Sequence, residues 1–383
     1  MLRDLNEHFA AAREQFPSLE SRTYLVTHSF GLCPRETFAD LEAYRETLLR
    51  RPLLFDDWLE RLSEMYPLLE RLIGAASGSI ALRESASACH ATVLAGLQPR
   101  DGRKRLIASK LQFPSVSYMV SAQQQRGFDV EFVSSVDRVQ LDENAIVERL
   151  DQTVAAVFVP VVASFNGALL DVRRVVEAAN AVGAIPILDA YSALGVVPLD
   201  VSSLPPCVLI GGTMKWLGGG GTGLGFMYVH PSLMERLPVA YPGWLGDARF
   251  LDFAPDFAPA AGARRYQMGT PAMEPIYTAR AGLRFVLEHG VERLRDRNAQ
   301  LLDLLATLAI KSGLSIRSPM ECERRAGVIA IEVDDASRTV ATLRSEGIDI
   351  DSRSANAIRL GPHWCVTSHE CERAIALIVA SQS

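Results

Sequence analysis

Residues 208–229, VLIGGTMKWLGGGGTGLGFMYV, decide how the rest of the chain is read. The flanking runs VLI and LGFMYV are short, apolar and bounded by glycine, the pattern of buried strands. Between them stand one lysine, Lys215, and four consecutive glycines at 218–221. A lysine held between buried strands is partly desolvated, which favours its neutral amine and suits it to forming a Schiff base. The glycines let the backbone take left-handed turns and approach a ligand closely. The order excludes a Walker loop, where the lysine follows the glycines and a Ser or Thr follows the lysine. The same residues also read as a glycine-rich hairpin with a solvated lysine at its tip.

Upstream of this stretch, strand and helix patterns alternate. RLIAS, FDVEFVSS, VAAVFVPVV and IPILDA read as strands; residues 116–126, ENAIVERL and RRVVEAANAVGA read as helices; LQFPS and SFNGALLD read as loops. Strands that are apolar throughout and alternate with helices predict a mostly parallel sheet covered on both faces. Ligands of such sheets bind beyond the carboxyl ends of the strands. Phe113, Asn166 and Asp189 fall there. An acid that closes an apolar run is costly unless it meets a cation or a hydrogen-bond donor, so Asp189 is a site candidate, with a helix cap as the structural alternative. Phe113 also reads as a core aromatic. Further upstream, a short strand at 79–82 leads through Ser85, Ala86, Ser87 and Ala88 into a helix. Small hydroxyl residues there cap the helix and leave N–H groups aimed at any anion.

The remaining segments frame this unit. Residues 1–20 read as an amphipathic helix, and YLVTHSFGLCPRETF as a short strand, a turn carrying His28 and Ser29, and a helix start at Pro34. Helical periodicity over 35–74 puts Trp58, Leu59, Leu62, Tyr66, Leu69 and Leu72 on a core face. YPGWLGDARFLDFAPDFAPAAGARRYQMGTPAM is too rich in proline and glycine for one element and reads as a long functional loop. Two helices then lead into a small α/β unit in which VIAIEV and IDID are strands, with AIRLGPHW between its last elements.

With 383 residues, 48% of them hydrophobic and 22% charged, the chain has material for a large core and a second domain. A net charge of −6 argues against nucleic acid or an anionic membrane as partner. No apolar run reaches membrane-spanning length, and the first residues lack a signal-peptide core. Six scattered cysteines without a CxxC pair fit free thiols in a reducing cytoplasm, and neither they nor the seven histidines have metal-ligand spacing, so no metal site is expected.

A buried lysine, an acid at a strand end, an anion-binding helix start and an aromatic loop together match the needs of pyridoxal 5'-phosphate. Its aldehyde condenses with a lysine, its ring nitrogen faces a carboxylate, its phosphate takes N–H groups and hydroxyls, and its ring takes an aromatic face. The sequence also resembles the fold-type I pyridoxal-phosphate enzymes of the class V aminotransferase group, and within it kynureninase. The likeness runs from YLVTHSFGLCP to IRLGPHW and is most specific in KLQFPSVSYMV, ILDAYSALGVVPLDV, GGTMKWLGGGGTG and PGWLGDARFLDF.

The resemblance implies an α/β fold with a mostly parallel central sheet flanked by helices and a smaller C-terminal α/β domain. It divides the chain into residues 1–50 contributing to the small domain, 51–265 as the large cofactor-binding domain and 266–383 as the small domain. Lys215 becomes the Schiff-base lysine and Asp189 the partner of the ring nitrogen. Phe113 stacks on the ring with Tyr191 opposite; Ser87, the Ala88 backbone and Thr213 hold the phosphate; Asn166 and Ser192 complete the cofactor contacts. Trp244 and Thr270 match positions that in kynureninases reach the phosphate of the neighbouring subunit, which implies a homodimer with shared active sites. Arg359 matches the arginine that clamps the carboxylate of an amino acid substrate. From the residues themselves, Arg353 either shares that carboxylate or makes a surface ion pair, and His28, Tyr241, Arg249 and His363 are substrate-pocket candidates.

Two departures bear on the reaction. Kynureninases carry a tyrosine before the lysine, where this chain has Met214, and a histidine where it has Ser192. A thioether does not serve as a general acid or base. DAYSALG is closer to aminotransferases of the same class. The stretch before Arg359 holds no cysteine, which sets it apart from cysteine desulfurases. The expected activity is therefore transamination of an amino acid through an external aldimine and a Cα carbanion. Kynureninase-like hydrolysis or carbon–carbon or β-cleavage is the second reading, and a catalytically idle cofactor-binding protein the third.

Overall fold

The computed structural model describes residues 2–50, 54–99, 102–135, 137, 139–140 and 142–382. In chain order its regular elements are α1 (Leu2–Ala12), β1 (Thr23–Tyr24), α2 (Arg35–Leu49), α3 (Leu54–Ile73), β2 (Ile80–Arg83), α4 (Ala86–Gly96), β3 (Arg105–Ser109), α5 (Pro114–Ala122), β4 (Asp129–Val133), α6 (Glu143–Val147), β5 (Val154–Pro160), α7 (Val172–Val182), β6 (Ile185–Asp189), β7 (Val208–Gly212) and β8 (Gly225–Val229). The C-terminal part adds α8 (Met273–His289), α9 (Val291–Lys311), β9 (Ile329–Glu332), α10 (Ala336–Ser345), β10 (Ile348–Asp349), β11 (Asp351–Ser354), β12 (Ala357–Leu360) and α11 (Ser368–Ala380).

The central sheet has seven strands in the order β2-β8-β7-β6-β5-β3-β4. Strands β4, β3, β5, β6 and β7 run parallel, and β8 is antiparallel to both β7 and β2. Every residue of β5, β6, β7 and β8 is buried. Their uninterrupted apolar runs follow from this, because both faces are covered. Alternate residues feed separate cores: Val157 and Val159 join one cluster, Ala156 and Phe158 the other, the two-residue period of a strand. The mostly parallel sheet expected from the alternation of strands and helices is thus present.

A third cluster gathers Leu301, Leu305, Ile331, Ile358, Leu360 and Ile375 around the antiparallel sheet β11-β12-β9, and Leu25 from the N-terminal segment enters it. The chain there pairs β1 with β10 in parallel, Thr23 against Ile348. Two local expectations change. The first helix stops at Ala12 and gives way to two 3-10 turns, Arg13–Gln15 and Pro17–Glu20; Pro17 has no N–H with which to continue an α-helix. The AIRL segment, read as a connection, is strand β12, central in its sheet. Among the described residues, no helix is long and apolar enough to cross a membrane.

Candidate active site

A cavity opens at the carboxyl ends of β5 and β6, whose last residues, Pro160 and Asp189, are register partners. The starts of α4 and α5 close its other sides, with Ser87, His90 and Phe113 in the wall. This is where an open parallel sheet binds its ligands.

Lys215 reaches the cavity from the turn after β7. The segment at Gly31 fixes that turn: the Gly31 N–H donates to the Met214 carbonyl at 2.8 Å, and a Cβ on Gly31 would sit 1.8 Å from the Lys215 carbonyl oxygen. Gly218 adopts a left-handed φ of 57° with its own Cβ position 2.7 Å from the Leu32 carbonyl oxygen, so both close approaches require glycine. The Lys215 side chain is buried and its Nζ donates to Ser192 Oγ at 2.9 Å. The same Nζ lies 4.9 Å from the centre of the Tyr191 ring. Burial brings the amine down to about 8. Asp189 opposes that shift, Arg359 and Arg353 add to it, and Asp351 opposes it.

Asp189 is 8% exposed and its Oδ1 accepts the Tyr191 N–H at 3.0 Å. Burial, with the charge of Asp189, pushes the Tyr191 phenol up to about 12. The Tyr191 ring rests on Gly212, where a Cβ would stand 2.2 Å from the ring edge. Buried His90, on α4, makes an Nδ1 contact with the Ala86 carbonyl at 2.9 Å. A carbonyl only accepts, so Nδ1 carries the proton. Burial lowers the pKa of this imidazole.

The phosphate-side features sit at the start of α4. Ser85 is the cap, its Oγ accepting the Ala88 N–H at 3.1 Å. Ala88 is therefore already satisfied, and Ala86 and Ser87 carry the N–H groups for which no partner is found among the described residues. Thr213 Oγ1 and His90 Nε2 are buried without a hydrogen-bond partner. Buried polar atoms are seldom left so; His90, the α4 start, Phe113 and Asp189 line the cavity and fit a polar group with a phosphate and a ring, whereas Thr213 is not among the lining residues.

The substrate-side candidates form a network of their own. Arg359 and Asp351 are opposed across the β11–β12 pair. Arg359 Nε donates to Asp351 Oδ1 at 2.8 Å and Nη2 to Oδ2 at 2.6 Å. Nη2 also donates to Ser29 Oγ at 2.8 Å, and Nη1 to the carbonyl of Ser164, a cavity residue. His28 Nε2 lies 3.0 Å from Asp351 Oδ1, and Ser29 Oγ donates to Oδ2 at 2.6 Å. Burial pushes the His28 imidazole down to about 4, so it is neutral at pH 7. Burial raises the Asp351 carboxyl, but bonds from His28 and Arg359 outweigh it and hold the group well below the usual carboxylate range.

Other candidates stand elsewhere. Asn166 is fully buried, but its amide donates to the carbonyls of Val139 and Arg317 and accepts from Ala168, so it pins a loop and does not line the cavity. His363 is a core residue, packed edge-on against Phe16 and beside Trp364. Trp244 stacks between Phe55 and Phe253, in a separate hollow that Arg249 also lines. Tyr241 and Thr270 are exposed. Sequence reasoning missed His90, Ser164 and Asp351. The detectable signals were the helix-face spacing of His90 from Ala86 and the hairpin that sets Asp351 opposite Arg359.

With this geometry in view, likenesses to known proteins can be placed. The family model "Aminotransferase class-V" matches residues 60–369. The protein named uncharacterized aminotransferase YcbU, of Bacillus subtilis (strain 168), is 29% identical over 96% of both chains. The kynureninase of Geobacillus thermodenitrificans (strain NG80-2) is 28% identical over 82% of this chain and 76% of its own. Two solved structures share the fold at low identity. The cystine C–S lyase C-DES, in complex with cysteine persulfide, has a TM-score of 0.87 at 18% identity, over 95% of this chain and 99% of that one. The cysteine desulfurase of Thermococcus onnurineus NA1 has a TM-score of 0.86 at 19% identity, over 97% of each. The match over residues 60–369, on a fold-type I architecture with a buried lysine facing an aspartate, shows that the chain belongs to the class-V aminotransferase family and takes pyridoxal 5'-phosphate as its cofactor.

Proposed function

We infer that the protein is an aminotransferase acting on an amino acid substrate. When bound, the cofactor supplies a carbonyl that joins the amine and a ring that draws electrons from the Cα–H bond. The chain's own residues do the rest. Lys215 would hold the cofactor and, once the substrate amine has replaced it, its Nζ would take the proton from Cα and deliver it to the cofactor's former carbonyl carbon. Ser192 Oγ orients that amine, and Asp189 keeps the cofactor ring nitrogen protonated. Phe113 and Tyr191 flank the ring, and Ser87, Thr213 and the N–H groups at the start of α4 hold the phosphate.

The observation that carries this reading is the company Lys215 keeps. Its nearest polar partner is the hydroxyl of Ser192, it presents to Tyr191 the ring face, and the residue before it is Met214. The Tyr191 phenol is pushed away from neutrality while the lysine is drawn toward it, so one amine is left to move protons at neutral pH. Transamination needs no more than that. The similarity to kynureninases favours side-chain hydrolysis or cleavage as the second reading, and the absence of tyrosine and histidine at 214 and 192 weighs against it. Lys215 and Asp189 in one cavity weigh against an idle binder.

The assembly we propose is a homodimer in which Trp244 and Thr270 of each copy reach the other's phosphate, supported by the exposed Phe253 stacked on Trp244. Six free cysteines support a reducing, cytoplasmic setting. The deciding experiment is a single-turnover absorbance spectrum of the holoenzyme with a panel of amino acids and no oxo acid. Conversion of the lysine-joined cofactor to pyridoxamine phosphate is expected. A retained cofactor spectrum with a new cleavage product would replace transamination by the second reading.

A further inference from the structure

His90 has one ring nitrogen committed and one open. Its Nδ1 donates to the Ala86 carbonyl at 2.9 Å, one turn back on α4. The neutral ring then carries only a lone pair on Nε2, which receives a hydrogen but cannot give one. That atom is buried without a partner, on a residue 1% exposed. A buried acceptor left open carries its full desolvation penalty, so Nε2 calls for a donor that the described residues do not supply.

The place of His90 limits what that donor can be. It lines the cavity together with Ser87, Phe113 and Asp189. From Ser87, at the start of α4, it lies about 4.5 Å further along the helix axis. A ligand with its phosphate at the start of α4 and its ring nitrogen toward Asp189 therefore passes along His90. Asp189 receives the Tyr191 N–H on Oδ1, and its Oδ2 has no hydrogen-bond partner among the described residues. Two open acceptors, Oδ2 and Nε2, thus share one cavity. Tyr191 and Lys215 are the other titratable side chains on its wall, and Lys215 Nζ turns to Ser192. Burial lowers the His90 pKa against the pull of Asp189, which keeps Nε2 an acceptor at neutral pH. Pyridoxal 5'-phosphate brings one hydrogen to this edge, the proton on its ring nitrogen.

We propose that His90 Nε2 is a second acceptor, beside Asp189, for the proton on the cofactor's ring nitrogen. Asp189 supplies the charge that keeps the proton there. His90 adds an oriented lone pair, worth about tenfold in affinity as a neutral hydrogen bond. The proposal rests on Asp189 facing the ring nitrogen, and not on which reaction follows.

The test uses binding alone and compares two cofactors, pyridoxal phosphate and its deaza analogue, in which a C–H replaces the ring nitrogen. Dissociation constants are measured by equilibrium dialysis. The parent protein is expected to prefer pyridoxal phosphate. His90→Met should bind pyridoxal phosphate about tenfold more weakly while holding the analogue as the parent does. His90→Gln, whose side-chain oxygen accepts at a similar reach, should keep most of the parent's preference. Equal weakening of both cofactors in His90→Met would make His90 structural, and unchanged affinity for both would leave Nε2 without a role; either overturns the proposal. A second measurement needs no substituted protein to bind cofactor. With nitrogen-15-labelled histidine in the parent, the His90 Nε2 resonance, assigned by its loss in His90→Gln, should move upfield with pyridoxal phosphate and stay in place with the analogue. An equal response to both cofactors, or to neither, would also overturn it. A parent that binds the two cofactors equally would instead remove Asp189 from the ring nitrogen, and the proposed function would lose that contact along with this one.

Discussion

Lys215 Nζ and Ser192 Oγ lie 2.9 Å apart in a buried setting, one from the turn after β7 and the other just beyond the end of β6. Adjacent parallel strands bring the two loops together, with Asp189 opposite Ile210 in the register. A hydroxyl can donate or accept, so Ser192 serves the amine in either protonation state without competing with it for the proton. An imidazole at the same place would titrate in the same range. In the proposed function this pairing leaves the lysine as the site's working base.

The buried amine makes the cofactor-free protein pH-sensitive. Its pKa of about 8 lies below the ordinary 10.5. Below pH 8 both folded and unfolded chains are protonated, and the full burial penalty acts. Between pH 8 and 10.5 the unfolded chain holds a proton that the folded one has lost, so stability rises with pH; above that window the penalty is gone. Lys215→Met should therefore stabilise the apoprotein by about 3 kcal/mol at pH 7, with the gap closing toward pH 10.5. Urea unfolding of both proteins across that range checks it, and a constant gap would assign the effect to packing. The same variant should take up no cofactor that borohydride can trap.

Gly225 packs against the start of α4, where the proposed function places the phosphate. A Cβ there would lie 2.3 Å from the Ser85 carbonyl carbon and 2.6 Å from the Ala86 nitrogen. Backbone atoms cannot rotate away, so Gly225→Ala must push the start of α4 off β8. The N–H groups of Ala86 and Ser87 would move with it. Cofactor affinity should fall by about tenfold or more, since a displaced charge-assisted contact costs more than a kilocalorie. Equilibrium dialysis of pyridoxal phosphate measures this, and near-parental affinity would show that α4 does not carry the phosphate.

How much of this was legible beforehand depends on the range of the interaction. The strand–lysine–glycine–strand pattern, the acid closing IPILD and the small residues before α4 are local signals, and the structure brings Lys215, Asp189 and Ser87 to one cavity. The partner of Arg359 was not legible, because AIRL gave no sign of pairing with β11 and the pairing alone sets Asp351 opposite it. Asn166 shows the converse. Its position after a strand suggested a ligand contact, yet carbonyls of Val139 and Arg317 consume its amide, and nothing near it in sequence announces those partners.

Acid should weaken the fold through buried histidines. His28 is pushed down to about 4 and His363 to about 3, both by burial. As pH falls from 6.5 toward 4 the unfolded chain gains protons that the folded chain refuses, so stability falls. The window is worth up to about 3 kcal/mol for His28 and about 5 kcal/mol for His363. His28→Asn should flatten the loss of stability between pH 6.5 and 4 whatever its effect at pH 7. An unchanged slope would mean that His28 takes up its proton alike in the folded and unfolded chains.

Asp189 separates cofactor binding from proton chemistry. Its carboxylate sits in the cavity with Lys215 and is anchored by the Tyr191 N–H. In the proposed function a carboxylate facing the ring nitrogen would keep that nitrogen protonated and so favour loss of the Cα proton, whereas the phosphate would be held by other groups at the start of α4. Asp189→Ala should accordingly retain trappable cofactor on Lys215 while Cα proton exchange, followed as deuterium uptake by a bound amino acid, slows by roughly a hundredfold, the usual loss when one preorganised electrostatic partner is removed. Asp189→Asn, which preserves shape and the contact with Tyr191, should be no better, because an amide cannot sustain the positive charge on the ring. Recovery of exchange in the Asn variant would make Asp189 a spacer and place the ring's electrostatic partner elsewhere in the cavity, with His90 the remaining titratable group on that wall.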